Sequence, residues 1–398
     1  MPANGAAIPD PLVTGEGKPV TSREQWTQSR RPELLELFRE HVYGRNIVER
    51  PPVQEFSQGA PEKIFDGRAV RKSVTITYGN AAKQGRMTLH LYIPTWLPKP
   101  KGVFLLINNR SPRFTDDAQN AAPGSPGYEF FPARKIVDRG YVAAGFKNTE
   151  LADDNEDTAF TSGAFNVMGP EGKLSAKLYP NRPADAWAAI AAWAWGTSRA
   201  IDFIKSDPAL KDLPVAIAGH SRGGKTALWC GAQDTRVDLT ISNSSGSTGA
   251  AVARIKKGET IARINNSFPH WFCDNYKKFN DREDALPVDQ HMLIALCAPR
   301  LVYVQSSFLD AHADPAAEFR SCQLATPVYE LFGLDGISST AEASPNKPIH
   351  AGAIGYHVRA DGYEGDTNPA NGGEHDMKAY DWERFMDFAD LHFAKTVR

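Results

Sequence analysis

The run Val215-Ala216-Ile217-Ala218-Gly219-His220-Ser221-Arg222-Gly223-Gly224-Lys225-Thr226-Ala227-Leu228-Trp229 decides how this chain folds. It opens as an apolar strand, turns through Gly219-His220-Ser221-Arg222-Gly223, and continues at once with a helical pattern. A strand that enters a helix through Gly-x-Ser-x-Gly is a nucleophile elbow, which lifts a serine hydroxyl above a sheet. Gly219 and Gly223 are needed because the turn is tight and side chains there would collide with the adjoining strand and helix. Alone, Gly-x-Ser-x-Gly is a common coincidence. Between an apolar strand and a helix it points to a nucleophilic serine.

Outward from the elbow, strand-like and helix-like segments alternate. Residues 102–108 and 141–146 are continuous apolar runs suited to central strands, and residues 184–204 form a long apolar helix before the elbow. After it, residues 237–242 and 300–304 again read as strands. Residues 74–78 and 87–93 alternate apolar and polar side chains and read as a hairpin-like pair. Helices are expected around residues 33–38 and 382–393. This order predicts an α/β-hydrolase fold, a three-layer sandwich with a mostly parallel central sheet and helices on both faces. Residues 1–30 read as an N-terminal extension and 31–398 as a single catalytic domain. Its loop insertions fall near 148–182 and 335–374, which are rich in Gly, Pro, Asp and Asn. Long loops in a compact domain tend to carry function, so both are expected to border the site.

With 41% hydrophobic and 23% charged residues among 398, the chain can bury a large core. A net charge of −2 offers no basic footprint for nucleic acid or an anionic membrane, and no apolar run is long enough to span a bilayer. Met1-Pro2-Ala3-Asn4-Gly5 lacks the basic and apolar regions of an export signal. Cys230, Cys273, Cys297 and Cys322 fit no zinc spacing and are expected to be buried free thiols.

A serine hydroxyl needs a base, and this fold orders its triad Ser, acid, His. His375, in Asn371-Gly372-Gly373-Glu374-His375-Asp376-Met377 before the last helix, is the candidate base. His220 is expected to project away from the nucleophile as a packing residue, and His270 and His291 to be structural. No carboxylate follows the first strand after the elbow, where Asn243-Ser244-Ser245-Gly246 stands. The next strand runs into Ser307-Phe308-Leu309-Asp310, so Asp310 is the candidate acid. Asp314 precedes a proline and reads as a helix N-cap. Glu374 and Asp376 adjoin His375 too closely for an in-plane hydrogen bond.

Gly219-His220-Ser221-Arg222-Gly223-Gly224-Lys225 resembles the Gly-x-Ser-Arg-x-Gly-Lys signature of the glucuronoyl esterases, carbohydrate esterase family 15. Trp193 to Ala200, Gly258 to Asn265, Ser267 to Phe272, Ala313-Asp314-Pro315 and Glu374 to Met377 agree with it, so the likeness spans roughly residues 30–395. Such enzymes cleave the ester between (4-O-methyl-)glucuronic acid on glucuronoxylan and lignin alcohols. The resemblance implies Ser221 as nucleophile, His375 as base, and Arg222 at the oxyanion through its backbone N–H and guanidinium. It further implies that Lys225, Glu259, His312 and Trp271 meet the sugar. No metal or organic cofactor is implied. The partner expected is the glucuronoxylan or lignin-carbohydrate ester itself, met by a monomer. A secreted or periplasmic location is expected, with the export signal absent from this sequence; a cytoplasmic one is the alternative.

Two departures from the family pattern matter. Fungal members place the triad glutamate where Ser244 stands here, whereas some bacterial members use an acid where Asp310 lies. His312 occupies a position usually held by a sugar-contacting tryptophan, giving up apolar area for two ring nitrogens. Alternative readings are an acetyl xylan or other carbohydrate esterase, an acyltransferase, and a non-catalytic carbohydrate-binding relative. Tyr128, Phe130, Phe131, Phe160 and Phe165 are candidates for an aromatic rim, with core packing the competing reading.

Overall fold

The computed structural model describes residues 7–46, 50–168, 182–360 and 374–396. Its strands are β1 (Val53–Gln58), β2 (Glu62–Ile64), β3 (Ala69–Gly79), β4 (Gln84–Pro94), β5 (Val103–Asn108), β6 (Val142–Lys147), β7 (Val215–His220), β8 (Leu239–Asn243), β9 (Leu301–Ser307) and β10 (Ile354–Arg359). They form one sheet in the order β1-β3-β4-β6-β5-β7-β8-β9-β10, with β2 paired to β3. From β6 to β10 every pairing is parallel, while β1 to β4 add an antiparallel edge joined through β4 and β6.

The central strands are apolar throughout because both faces are covered. On β5, Val103, Leu105 and Ile107 pack into one core with Trp193 and Trp229, from helices Ala189–Ser206 and Arg222–Gln233. Phe104 and Leu106 point the other way, into a second core with Ile136, Trp382 and Phe385. β7 divides likewise, with Val215 and Ile217 on one face and Ala216 and Ala218 on the other. This period-2 alternation between two apolar layers is what a doubly covered parallel strand requires. Each fully buried Leu or Phe contributes roughly 1.5–3 kcal/mol.

The chain reverses direction across the sheet at β5, with β6 on one side and β7 on the other. Ligands of open α/β sheets bind beyond the strand carboxyl ends at such a switch, and Ser221 follows β7 there.

Several expectations need revision. The span 335–374 contains β10, which pairs in parallel with β9. Its apolar run is broken by Gly355, required because a Cβ there would lie 2.4 Å from Tyr303 Cδ2, and by His357 and Arg359, which serve a buried polar cluster. For Phe130, Phe131, Phe160 and Phe165, burial decides between the two readings in favour of core packing. Trp26 and Arg30, within the expected extension, are also buried, and Arg30 Nε donates to the Pro11 carbonyl at 3.1 Å. The four cysteines are buried and free. Asn371, Gly372 and Gly373 lie outside the described residues.

Candidate active site

Ser221 adopts φ 56° and ψ −121°, the strained turn that an elbow demands. The turn closes only because a Cβ on Gly219 would stand 2.1 Å from the Gly223 carbonyl oxygen, a contact glycine avoids. The helix Arg222–Gln233 starts immediately, with the Gly224 and Lys225 N–H groups donating to the Ser221 carbonyl at 2.9 and 3.1 Å.

Three strand ends converge here. His375, in the loop between β10 and helix Ala379–Thr396, places Nε2 2.9 Å from Ser221 Oγ. Its Nδ1 lies 2.5 Å from Asp310 Oδ2, just beyond β9. Asp310 is buried, and the Ala313 N–H donates to its second oxygen at 3.0 Å. Burial pushes this carboxyl up, but the hydrogen bond and charge of His375 outweigh it and hold the pKa below the ordinary value.

The competing carboxylates stand elsewhere. Asp314 caps helix Pro315–Glu330 by accepting from the Ala317 N–H at 3.2 Å. Asp376 pairs with Lys378 at 3.3 Å. Ser244 is fully buried, with its hydroxyl 3.1 Å from Gln305 Oε1 and 3.2 Å from Ser307 Oγ.

His220 is a buried packing residue, as expected, and what it packs against is the candidate base. Its ring packs 4.7 Å from the His375 ring, with Nδ1 2.7 Å from Asn243 Oδ1 and Nε2 3.1 Å from Arg110 Nη2. Burial and the neighbouring His375 and Arg110 lower its pKa, so it stands neutral behind His375.

Arg222 is steered by a residue that the sequence did not single out. Asp154, in the long loop after β6, pairs with the Arg222 guanidinium. Its other oxygen accepts from Trp271 Nε1 at 2.8 Å and lies 3.1 Å from His270 Nε2. Burial raises the Asp154 pKa, but the His270 bond, the Arg222 charge and the Trp271 bond bring it down to about 2. The guanidinium sits 4.8 Å over the Trp271 ring, which stacks on Phe268 at 3.7 Å. Trp271 is only 2% exposed, so its ring is covered by Arg222 and Lys225 rather than open as a sugar platform. The 148–182 loop was marked as functional by its composition; nothing distinguished Asp154 from its neighbour Asp153.

Lys225 projects from the first turn of the elbow helix toward the same place. It is buried, donates to the Ser245 carbonyl at 2.5 Å, and lies 5.8 Å over Trp271. Burial, helped by Lys256 and Arg222 and opposed by Glu259, lowers its pKa to about 8. Buried Glu259 faces His312 Nε2 at 3.1 Å, and the half-exposed His312 ring lies 6.4 Å from that of His375. The residues named from sequence thus gather around Ser221. Among the described residues, no group of three His, Cys, Asp or Glu could hold a metal ion, and no helix is long and apolar enough to cross a membrane.

The family model "Glucuronyl esterase, fungi" matches residues 127–333, more than half of the chain. The chain belongs to the glucuronoyl esterase family. It is 37% identical to Carbohydrate esterase MZ0003, from an unknown prokaryotic organism, over 97% of this chain and 89% of that one. It is 27% identical to the 4-O-methyl-glucuronoyl methylesterase of Schizophyllum commune, covering 83% of this chain and 75% of the relative. Among solved structures, the glucuronoyl esterase of Solibacter usitatus superposes with a TM-score of 0.83 at 36% identity, over 97% of this chain and 98% of that one. A promiscuous CE15 esterase from a marine bacterial metagenome gives 0.81 at 36% identity, over 98% of each chain. This glucuronoyl esterase therefore has the α/β-hydrolase architecture of its family and is a carboxylic ester hydrolase.

Proposed function

We propose that this esterase cleaves the ester joining (4-O-methyl-)glucuronic acid on glucuronoxylan to lignin alcohols, using Ser221, His375 and Asp310. The observation that carries this reading is the unbroken line from Ser221 Oγ through the His375 ring to Asp310, at 2.9 and 2.5 Å. Ser221 Oγ attacks the glucuronoyl carbonyl while His375 Nε2 takes its proton. Asp310 holds the imidazole with Nε2 free to accept, and stabilises the imidazolium that forms. The tetrahedral oxyanion rests on the Arg222 backbone N–H and guanidinium; one such donor is worth about 3 kcal/mol of barrier. His375 then returns the proton to the departing alcohol, leaving a glucuronoyl-Ser221 ester. A water deprotonated by His375 releases glucuronate and restores the serine.

The esterified carboxyl is neutral, so Lys225 and Glu259 serve the sugar hydroxyls rather than a carboxylate. His312 favours a second reading, a broader carbohydrate esterase: it faces Glu259 and offers less apolar surface than the tryptophan usual at that position. A cell-wall polymer as substrate favours a location outside the cytoplasm, and the reading includes a single catalytic domain acting as a monomer.

The test is hydrolysis of benzyl glucuronate against acetylated xylan. The expected result is a clear preference for the uronate ester, lost by at least about 10⁴-fold in Ser221→Ala. Faster deacetylation would select the second reading, and an active Ser221→Ala would refute the nucleophile.

A further inference from the structure

A buried ionic cluster behind the triad takes no part in the steps above. Arg359, the last residue of β10, is 2% exposed, and Asp381 is fully buried. Arg359 Nε donates to both Asp381 oxygens, at 3.1 and 3.2 Å. Asp381 in turn accepts from the Lys378 N–H at 2.9 Å, lies 2.9 Å from His357 Nε2, and takes a 3.3 Å contact from Asn243 Nδ2. The carboxylate is thus fixed to β8, β10 and the start of the C-terminal helix.

The guanidinium reaches the other way with Nη2. That nitrogen lies 3.2 Å from the Glu374 carbonyl and 2.9 Å from the Asp376 carbonyl, the two that flank His375. It also lies 3.0 Å from Ser307 Oγ, at the end of β9. Asp310 follows Ser307 by three residues. One side chain therefore touches both the strand end that delivers the acid and the loop that delivers the base.

Buried ion pairs are poor stabilisers, and apolar side chains of the same volume pack a core as well or better. What an apolar side chain lacks is direction. A guanidinium is a rigid planar fork whose donors can serve a carboxylate on one edge and carbonyls on the other, and lysine is a point charge that cannot. Hydrogen bonding between Asp310 and His375 is productive only when both are held to within a fraction of an ångström.

We propose that Arg359, anchored by Asp381, is a positioning residue that sets the spacing of Asp310 and His375; the inference rests on the triad proposed above. The test compares Arg359→Gln, Arg359→Lys and the charge-balanced double variant Arg359→Gln/Asp381→Asn, with Arg359→Gln also placed in an Asp310→Asn background. Benzyl glucuronate is the substrate. The double variant removes both charges of the Arg359–Asp381 pair together, so it keeps the question answerable if Arg359→Gln fails to fold. The expected result is a kcat loss of 10-fold or more in all three, KM within twofold, and no rescue by lysine. In the Asp310→Asn background Arg359→Gln should cost less than threefold, because the alignment it protects is already gone. A folded double variant within threefold of wild-type kcat would overturn the proposal, as would an equal loss in both backgrounds. An Asp310→Asn enzyme of full activity would instead remove the triad reading on which it stands.

Discussion

The carboxyl ends of β8 and β9 lie side by side, with Asn243 paired to Gln305, yet they are built from opposite chemistry. The end of β8 and the turn after it carry hydroxyls. Ser242 bonds Ser245 at 2.7 Å, Ser244 faces Gln305 and Ser307, and Ser245 Oγ accepts from the Ala250 N–H at 2.8 Å. Beyond β9 stands Asp310, buried and 2.5 Å from His375. In the proposed triad the carboxylate at His375 Nδ1 comes from the β9 end, and the β8 end beside it carries none. The unused position is not left as a hole: small hydroxyls satisfy one another there, which keeps a buried polar corner intact.

Substitutions at the two strand ends should differ most in effect. Asp310→Asn should lower kcat by about 10⁴-fold, as loss of the correct imidazole tautomer does in other triads. Ser244→Ala should leave kcat within about twofold and cost about 1 kcal/mol of stability for the lost hydroxyl contacts. Comparable losses at both positions would erase the distinction.

Asp154→Asn comes next in size. Without the carboxylate that steers it, Arg222 loses its fixed aim, and kcat on benzyl glucuronate should fall roughly 10- to 100-fold, somewhat less than deletion of an oxyanion donor. The depressed pKa also makes Asp154 a stability element. Its contribution is present above pH 3.8 and lost as pH falls through about 2. The variant should therefore be less stable at pH 7, by about 2 kcal/mol. Urea melts at pH 7 check this, and an unchanged midpoint would contradict it.

The smallest effect concerns Glu318, beneath the hydroxyl corner. It accepts from Ser306 Oγ at 2.6 Å and from the Gly246 N–H at 2.8 Å. Burial, with Asp310 adding to it, raises its pKa from 4.5 to about 7. A raised carboxyl favours the fold most below pH 4.5, and that advantage is lost as pH rises through about 7. Glu318→Gln, close to isosteric, should gain a few degrees of Tm on wild type at pH 8.5 and nothing at pH 4.5. Equal shifts at the two pH values would contradict the assignment.

How far the site was legible depends on chain distance. Ser221, Arg222 and Lys225 lie within one contiguous strand-turn-helix, and the order of elements located Asp310 and His375. Asp154 was not legible because its partner Arg222 lies 68 residues away, and two adjacent aspartates in a loop give no basis for choice. β10 was hidden by the very residues that serve the polar cluster, since His357 and Arg359 interrupt the apolar pattern that marks a covered strand. Trp271 and the aromatic residues that could equally serve a rim or the core had the right chemistry for a site. Their burial is a property of packing that composition does not carry.

Proton NMR of the bond between His375 Nδ1 and Asp310 tests the central claim most directly. The wild type should show a far-downfield proton resonance that persists in Ser244→Ala and disappears in Asp310→Asn. A resonance that survives Asp310→Asn, or that vanishes in Ser244→Ala, would contradict the assignment of the acid to the end of β9.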